Sequence, residues 1–114
     1  MSAQKRTGTE FEVRVREYLK AKLGREVIRL AQSGTNDIGD LMIEGIPITI
    51  EVKAVKKMDL GTWMNELATE VKNRGTKLGL LFHKRRNHNV ARSYCTLELG
   101  DMVELLKMAY GGDE

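Results

Sequence analysis

The sequence predicts an α/β fold, a central mixed β-sheet flanked by helices in the approximate order αβββαββα. Three observations predict it. Residues 10–23 and 59–74 carry apolar side chains at helical spacing. Short apolar runs bounded by glycine lie between and after them and read as strands. The run Leu78 to His83, LGLLFH, alternates too little for a half-exposed strand, so it reads as a strand covered on both faces.

The first helix rests on Phe11, Val15, Tyr18, Leu19 and Leu23. Thr9 followed by Glu12 matches a capping box, and Gly24 follows the last apolar position. Residues 26–31 form a candidate strand, and SGTNDIG, from Ser33 to Gly39, a loop. DLMIEG is a short strand ending near Gly45, and Pro47 opens ITIEVKAV. EGIP is a tight connection that makes the two strands a hairpin. Leu60, Trp63, Met64, Leu67, Ala68 and Val71 define the helix over 59–74, which Gly75 ends. The strand 78–83 leads into the basic loop KRRNHN and a strand over roughly 90–98. Asp101 with Glu104 caps a last helix that offers Met102, Leu105, Leu106 and Ala109.

At 114 residues and 41% hydrophobic, the chain suits one domain over 1–114 with short flexible ends. No window approaches the roughly 18–20 apolar residues that span a bilayer, so no membrane partner is expected. The start, MSAQKRTGTE, lacks the apolar run of a signal peptide. Cys95, the one cysteine, forms no internal disulfide, and its apolar-rich strand predicts a buried free thiol. An intracellular location follows. The net charge is +3, unevenly spread. Residues 1–30 carry eight bases and four acids, and 84–92 carry Lys84, Arg85, Arg86 and Arg92 with no acid. Residues 98–114 carry five acids and one lysine. The basic regions suit a phosphate backbone.

The chemistry concentrates in PITIEVKAV. Strand alternation puts Ile48, Ile50, Val52 and Ala54 on one face and Thr49, Glu51, Lys53 and Val55 on the other. Glu51 and Lys53 then lie roughly 6–7 Å apart at the backbone. Asp40 opens the neighbouring strand and reaches Glu51 across the hairpin. Two carboxylates at strand ends suit Mg²⁺, with Mn²⁺ as a substitute, because hard cations prefer oxygen ligands. The Val52 backbone carbonyl supplies a further oxygen, and Glu12 completes or tunes the shell. The expected catalytic set is Glu12, Asp40, Glu51 and Lys53. The expected reaction is phosphodiester hydrolysis. Lys53 orients or deprotonates water, or stabilises transition-state charge. Two adjacent acids raise a lysine pKa, which favours positioning and electrostatics over a neutral base.

GTEFEVRVREYLKAKLG, SGTNDIGDLMIEG and ITIEVKA together resemble the PD-(D/E)XK nuclease superfamily, in particular archaeal-type and phage Holliday junction resolvases. The helix after EVK and LGLLFHKRR fit the same pattern, so the resemblance spans roughly residues 6–108. It matches Gly8 and Glu12 to the family's glycine and helix glutamate. Asp40 matches its metal aspartate, and Glu51-Val52-Lys53 its acid-X-lysine. Gly39 stands where the family often has proline. The family's helix glutamine has no counterpart, and Asn65, Glu66 and Glu70 are the polar choices there. The resemblance implies a restriction-endonuclease-like core and a Mg²⁺-dependent endonuclease for four-way junctions, active in DNA recombination and repair. It also implies a homodimer with two sites for paired nicks. If phage-encoded, such a protein works in the cytoplasm or nucleoid of its host. The rivals are a nonspecific or restriction-like duplex endonuclease and a noncatalytic DNA-binding protein on the same scaffold.

Asp37 competes with Asp40 as metal ligand; Asp40 is preferred because it adjoins an apolar strand, leaving Asp37 as a loop cap. Ser33 and Asn36 either touch phosphate or form the turn. Lys56, Lys57, Lys84, Arg85 and Arg86 are candidate backbone contacts. Lys5 and Arg6 form either a mobile basic arm or a solubilising end. His83 either meets DNA or ends its strand structurally. With His88 but no third ligand, it makes no zinc site. Trp63, on an apolar helix stripe, suits core or dimer packing over base stacking.

Overall fold

The computed structural model describes residues 3–31 and 37–111. The elements are α1 (Ala3–Leu23), β1 (Val27–Arg29), β2 (Leu41–Ile43), β3 (Ile48–Lys53), α2 (Leu60–Arg74), β4 (Leu78–His83), a 3-10 turn (Val90–Arg92), β5 (Tyr94–Thr96) and α3 (Leu99–Tyr110). The strands form one mixed sheet in sequential order. β3 pairs antiparallel with β2 and parallel with β4, and β1 and β5 are antiparallel edges. This is the αβββαββα order expected of a restriction-endonuclease-like core.

β3 lies at the centre because both of its faces can be covered. Ile48, Ile50 and Val52 join Phe11 and Val15 of α1 in the larger apolar core. Leu81, in register with Glu51, packs with Trp63 and Leu67 of α2 on the opposite face. α1 and α2 therefore sandwich the sheet, and Leu41, Ile50, Leu78 and Leu81 are fully buried. Each such side chain contributes about 1.5–3 kcal/mol relative to exposure. The hairpin turn closes through Ile46 N–H donating to the Ile43 carbonyl at 3.1 Å, with Gly45 at φ 80°. The glycines after α1 and α2 are left-handed caps, as expected; Gly75 N–H reaches the Val71 and Lys72 carbonyls.

Four local expectations fail. α1 starts at Ala3, so Thr9 and Glu12 lie inside it and form no capping box. Residues 3–9 hold no proline, and the single Gly8 costs only about 1 kcal/mol. Arg6 is accordingly helical and exposed. The strand over 90–98 shrinks to β5, because Val90 is drawn into the 3-10 turn that packs against the α1 side of the core. α3 starts at Leu99, and Asp101 accepts from Gly79 N–H at 3.2 Å while Glu104 pairs with Lys107, so neither caps the helix. Cys95 is exposed, because β5 is an edge strand with an open face. The expected flexible ends fall on residues outside those described. Among the described residues no helix is long and apolar enough to cross a membrane.

Candidate metal and nuclease site

The hairpin that sets the β2–β3 register also aims Asp40. Leu41 lies opposite Ile50, and Asp40 N–H donates to the Ile50 carbonyl at 2.8 Å. The Asp40 Oδ2 then accepts from Val52 N–H at 2.7 Å, which ties its carboxylate to the edge of β3. Gly39 makes this approach possible. Its φ is +90°, and a Cβ there would stand 3.0 Å from both the Ile50 carbonyl oxygen and the Thr49 Cγ2. Proline, locked near φ −65°, cannot adopt that backbone, which accounts for the glycine where the resemblance expects proline. Gly39 N–H also donates to Asp37 Oδ1 at 3.2 Å, so Asp37 does cap its loop. Asn73 of α2 donates to the Asp37 carbonyl at 2.8 Å and anchors that loop to the helix.

On the same face, α2 presents Trp63, Leu67 and Glu70 as its buried residues. Glu70 occupies the third position of that stripe and points at Glu51. Asp37, Glu51 and Glu70 each offer a carboxylate oxygen, and these atoms lie within 4.8 Å of one another. Among the described residues this is the group of acids able to hold a metal ion. Asp40 adjoins it through Glu51, and Glu12 stands beyond Asp40. Both oxygens of Glu70 and Oε1 of Glu51 are buried without a hydrogen-bond partner.

The electrostatics follow from that burial. Desolvation, then the charge of Asp40, pushes Glu51 up to about 8. Desolvation, then Asp37 and Glu51, pushes Glu70 up to about 10. Asp40 is raised by burial, although the Val52 N–H bond, Glu51 and Lys53 offset part of the rise. Glu12 is raised by burial and Asp40, against Arg29, whose Nε lies 3.4 Å from its Oε1. Clustered carboxylates with orphaned buried oxygens suit a hard divalent cation, so the donor set fits Mg²⁺ or Mn²⁺.

Lys53 lies 3.3 Å from Glu51 Oε2 and 3.2 Å from Glu66 Oε1. Burial lowers its pKa, but Glu51 and Glu66 outweigh burial and the net shift is upward, the expected direction with Glu66 rather than Asp40 as the second acid. It is held as a cation. Beyond it, a cleft of about 460 Å³ runs between the start of α1 and the end of β3, lined by Thr7, Gly8, Lys53, Lys56 and Arg86 among others.

The remaining sequence candidates divide. Lys56 and Arg86 share the cleft with the site, and Lys57 is exposed beside them. Lys84 is half-buried, and its N–H bonds the Lys53 carbonyl at 2.9 Å, which ties the two strand ends together. Arg85 is engaged elsewhere, 4.5 Å above the Tyr94 ring and bonded to the Arg92 carbonyl. His83 is buried, hydrogen-bonded to Thr96 and placed between Trp63 and Tyr94, so its role is structural. Trp63 is likewise core. Ser33, Asn36 and the Lys5 side chain lie outside the described residues. Sequence reasoning demoted Asp37 and left Glu70 as one of three choices. An acid three residues after Leu67, on the apolar stripe of its helix, was the available signal for Glu70.

No family model and no curated relative matches the chain. Among solved structures it is similar to an alkaline exonuclease, LHK-Exo, from Laribacter hongkongensis, with a TM-score of 0.60 and 14% identity over 95% of this chain. The match covers 65% of the exonuclease, so the chain spans about two thirds of that protein's length. It is also similar to Hjc, a Holliday junction resolvase from the archaeal hyperthermophile Archaeoglobus fulgidus. There the TM-score is 0.52 and the identity 21%, over 80% of this chain and 88% of that one. At these identities the likeness shows the fold alone, a mixed sheet flanked by helices in restriction-endonuclease-like order.

Proposed function

We propose that the chain is a metal-dependent structure-selective DNA endonuclease that hydrolyses phosphodiester bonds at four-way junctions. The observation that carries the reading is the Glu51–Lys53 strand end, where buried acids and a held cation meet at the mouth of a basic cleft. Asp40, Glu51 and the Val52 carbonyl would hold Mg²⁺ or Mn²⁺, with Glu12 tuning Asp40. Val52 N–H faces Asp40, and strand geometry turns its carbonyl to the same edge. The bound metal supplies Lewis-acid polarisation of the phosphate and a water of lowered pKa. Lys53 contributes a fixed positive charge beside the reacting phosphate, positioned by Glu51 and Glu66. Lys56 and Arg86 would hold the DNA backbone in the cleft, with Lys57 and Lys84 as further candidates, whereas Arg85 is engaged on Tyr94.

The preference for junctions rests on the resemblance of the GTEFE, NDIGD and IEVKA segments to Holliday junction resolvases. A homodimer accompanies it, because paired nicks need two sites. The exposed apolar residues of α3 offer a surface for that second copy. Cleavage of linear DNA is the second reading, favoured by the likeness to LHK-Exo. One panel separates them: purified chain with Mg²⁺ or Mn²⁺ on a synthetic four-way junction, a linear duplex and an end-labelled duplex. Paired symmetric incisions in the junction support the proposal. Equal cutting of linear duplex, or degradation from an end, replaces it with the second reading, and no cutting of any substrate defeats both.

A further inference from the structure

Glu70 is costly where it stands. It is fully buried, and neither of its oxygens has a hydrogen-bond partner. Lys53 is committed to Glu51 Oε2 and Glu66. Ionised without a counter-charge, a buried carboxylate costs several kcal/mol, and the carboxylates of Asp37 and Glu51 beside it add repulsion. Leucine or methionine would extend the Trp63–Leu67 stripe at no such cost. The surroundings nevertheless hold the acids together. Asn73 ties the Asp37 backbone to α2, and Gly39 lies so close to the cluster that a Cβ built on it would stand 3.5 Å from Glu70 Oε1. Glu51 faces two ways, with Oε2 on Lys53 and Oε1 buried and unpartnered.

We infer that Asp37, Glu51 and Glu70 form a cation site of their own, so that Glu51 bridges two divalent ions, one shared with Glu70 and one shared with Asp40. The inference rests on the proposed active site only for the second ion. The first requires nothing but the three carboxylates. Three acids from a loop, a strand and a helix give a set of oxygens suited to Mn²⁺, Mg²⁺ or Ca²⁺. Its ion binds more tightly than the Asp40 ion, because more carboxylate charge surrounds it. By joining α2 to β3 and to the loop before β2, this ion would also brace the strand end that carries Lys53.

The test is Mn²⁺ binding to the full chain without DNA, followed by electron paramagnetic resonance of the free ion. Wild type should bind two ions in two affinity classes. Glu70→Gln should weaken the tighter class at least tenfold and keep the weaker one. Asp40→Asn should do the reverse. Asp37→Asn, on an exposed loop, is the second probe should Glu70→Gln fail to fold, and it too should weaken the tighter class. Thermal unfolding gives an independent readout: Mn²⁺ should raise the wild-type midpoint more than that of either cluster variant. Unchanged tight binding in Glu70→Gln or Asp37→Asn overturns the inference, as does a single class lost only in Asp40→Asn. Failure of all DNA cleavage with normal two-site binding would sink the nuclease reading and leave this one standing.

Discussion

Lys53 sits within 3.3 Å of two carboxylates and is kept charged by them, so in the proposed reaction it would supply a fixed positive charge rather than accept a proton. Lys53→Met should lower the single-turnover cleavage rate about 10²–10³-fold, the usual cost of one electrostatic stabiliser. Lys53→Arg, which keeps charge but cannot act as a base, should retain measurably more activity than Lys53→Met. A methionine variant within a few-fold of wild type would remove Lys53 from the site. Glu70 supports a different measurement, made with cation chelated. Glu51 and Glu70 have folded pKa values raised from 4.5 to about 8 and about 10. A raised acid binds its proton more tightly when folded, so its stability contribution is complete below the unfolded value and is lost as pH rises towards the folded one. Between pH 5 and pH 8 the wild-type chain should therefore lose stability that Glu70→Gln does not lose. The variant should gain up to about 4 kcal/mol relative to wild type over that interval, because each pH unit between the unfolded and folded values is worth about 1.4 kcal/mol. Parallel pH profiles in thermal melts would contradict the burial of a titrating Glu70. Strand parity and the hairpin made Asp40, Glu51 and Lys53 legible in the sequence, because they lie within 14 positions on paired strands. Asp37 and Glu70 are 33 positions apart and meet only through the packing of α2, which spacing along the chain does not encode.

α2 depends on how closely it sits on β4. Gly79 lies under Leu67 and Val71, and a Cβ there would stand 2.8 Å from carbons of both side chains. Real Cβ atoms essentially never come so close, so Gly79→Ala must displace the Leu67 and Val71 side chains or the helix that carries them. We expect it to destabilise the fold by about 1–3 kcal/mol, the range for overpacked sites. It should also reduce cleavage, because α2 carries Glu66 and Glu70. Chemical denaturation and the junction assay check both effects together, and a neutral Gly79→Ala would show that α2 rides loosely. The elements themselves were largely readable. α2, β3 and β4 match their patterns closely, since a long periodic stripe or an unbroken apolar run leaves one solution. The misreadings came where a local motif competed with a longer context. Thr9 and Glu12 have capping-box spacing, yet the helix continues through them to Ala3. Val90 has strand propensity, yet it leaves the strand for the core beneath α1.

At the scale of the whole molecule, α3 stands apart from the sandwich. None of its residues is buried, and Leu105 is its contact with the core. Leu99, Met102, Val103, Leu106 and Tyr110 follow helical spacing and are all exposed. Contiguous apolar stripes of this kind mark interaction surfaces. If the second copy required for paired nicks packs there, the interface is isologous, so one substitution strikes it twice. Leu106→Glu should then shift the chain from dimer to monomer in size-exclusion chromatography with light scattering. Because Leu106 is half exposed, the folded monomer should lose no more than about 0.5 kcal/mol. On a plasmid-borne cruciform, wild type should yield linear product from coupled cuts, whereas Leu106→Glu should yield nicked circles. A wild-type monomer, or a variant that remains dimeric and still linearises the plasmid, would place the pairing surface elsewhere and leave the α3 stripe without this role.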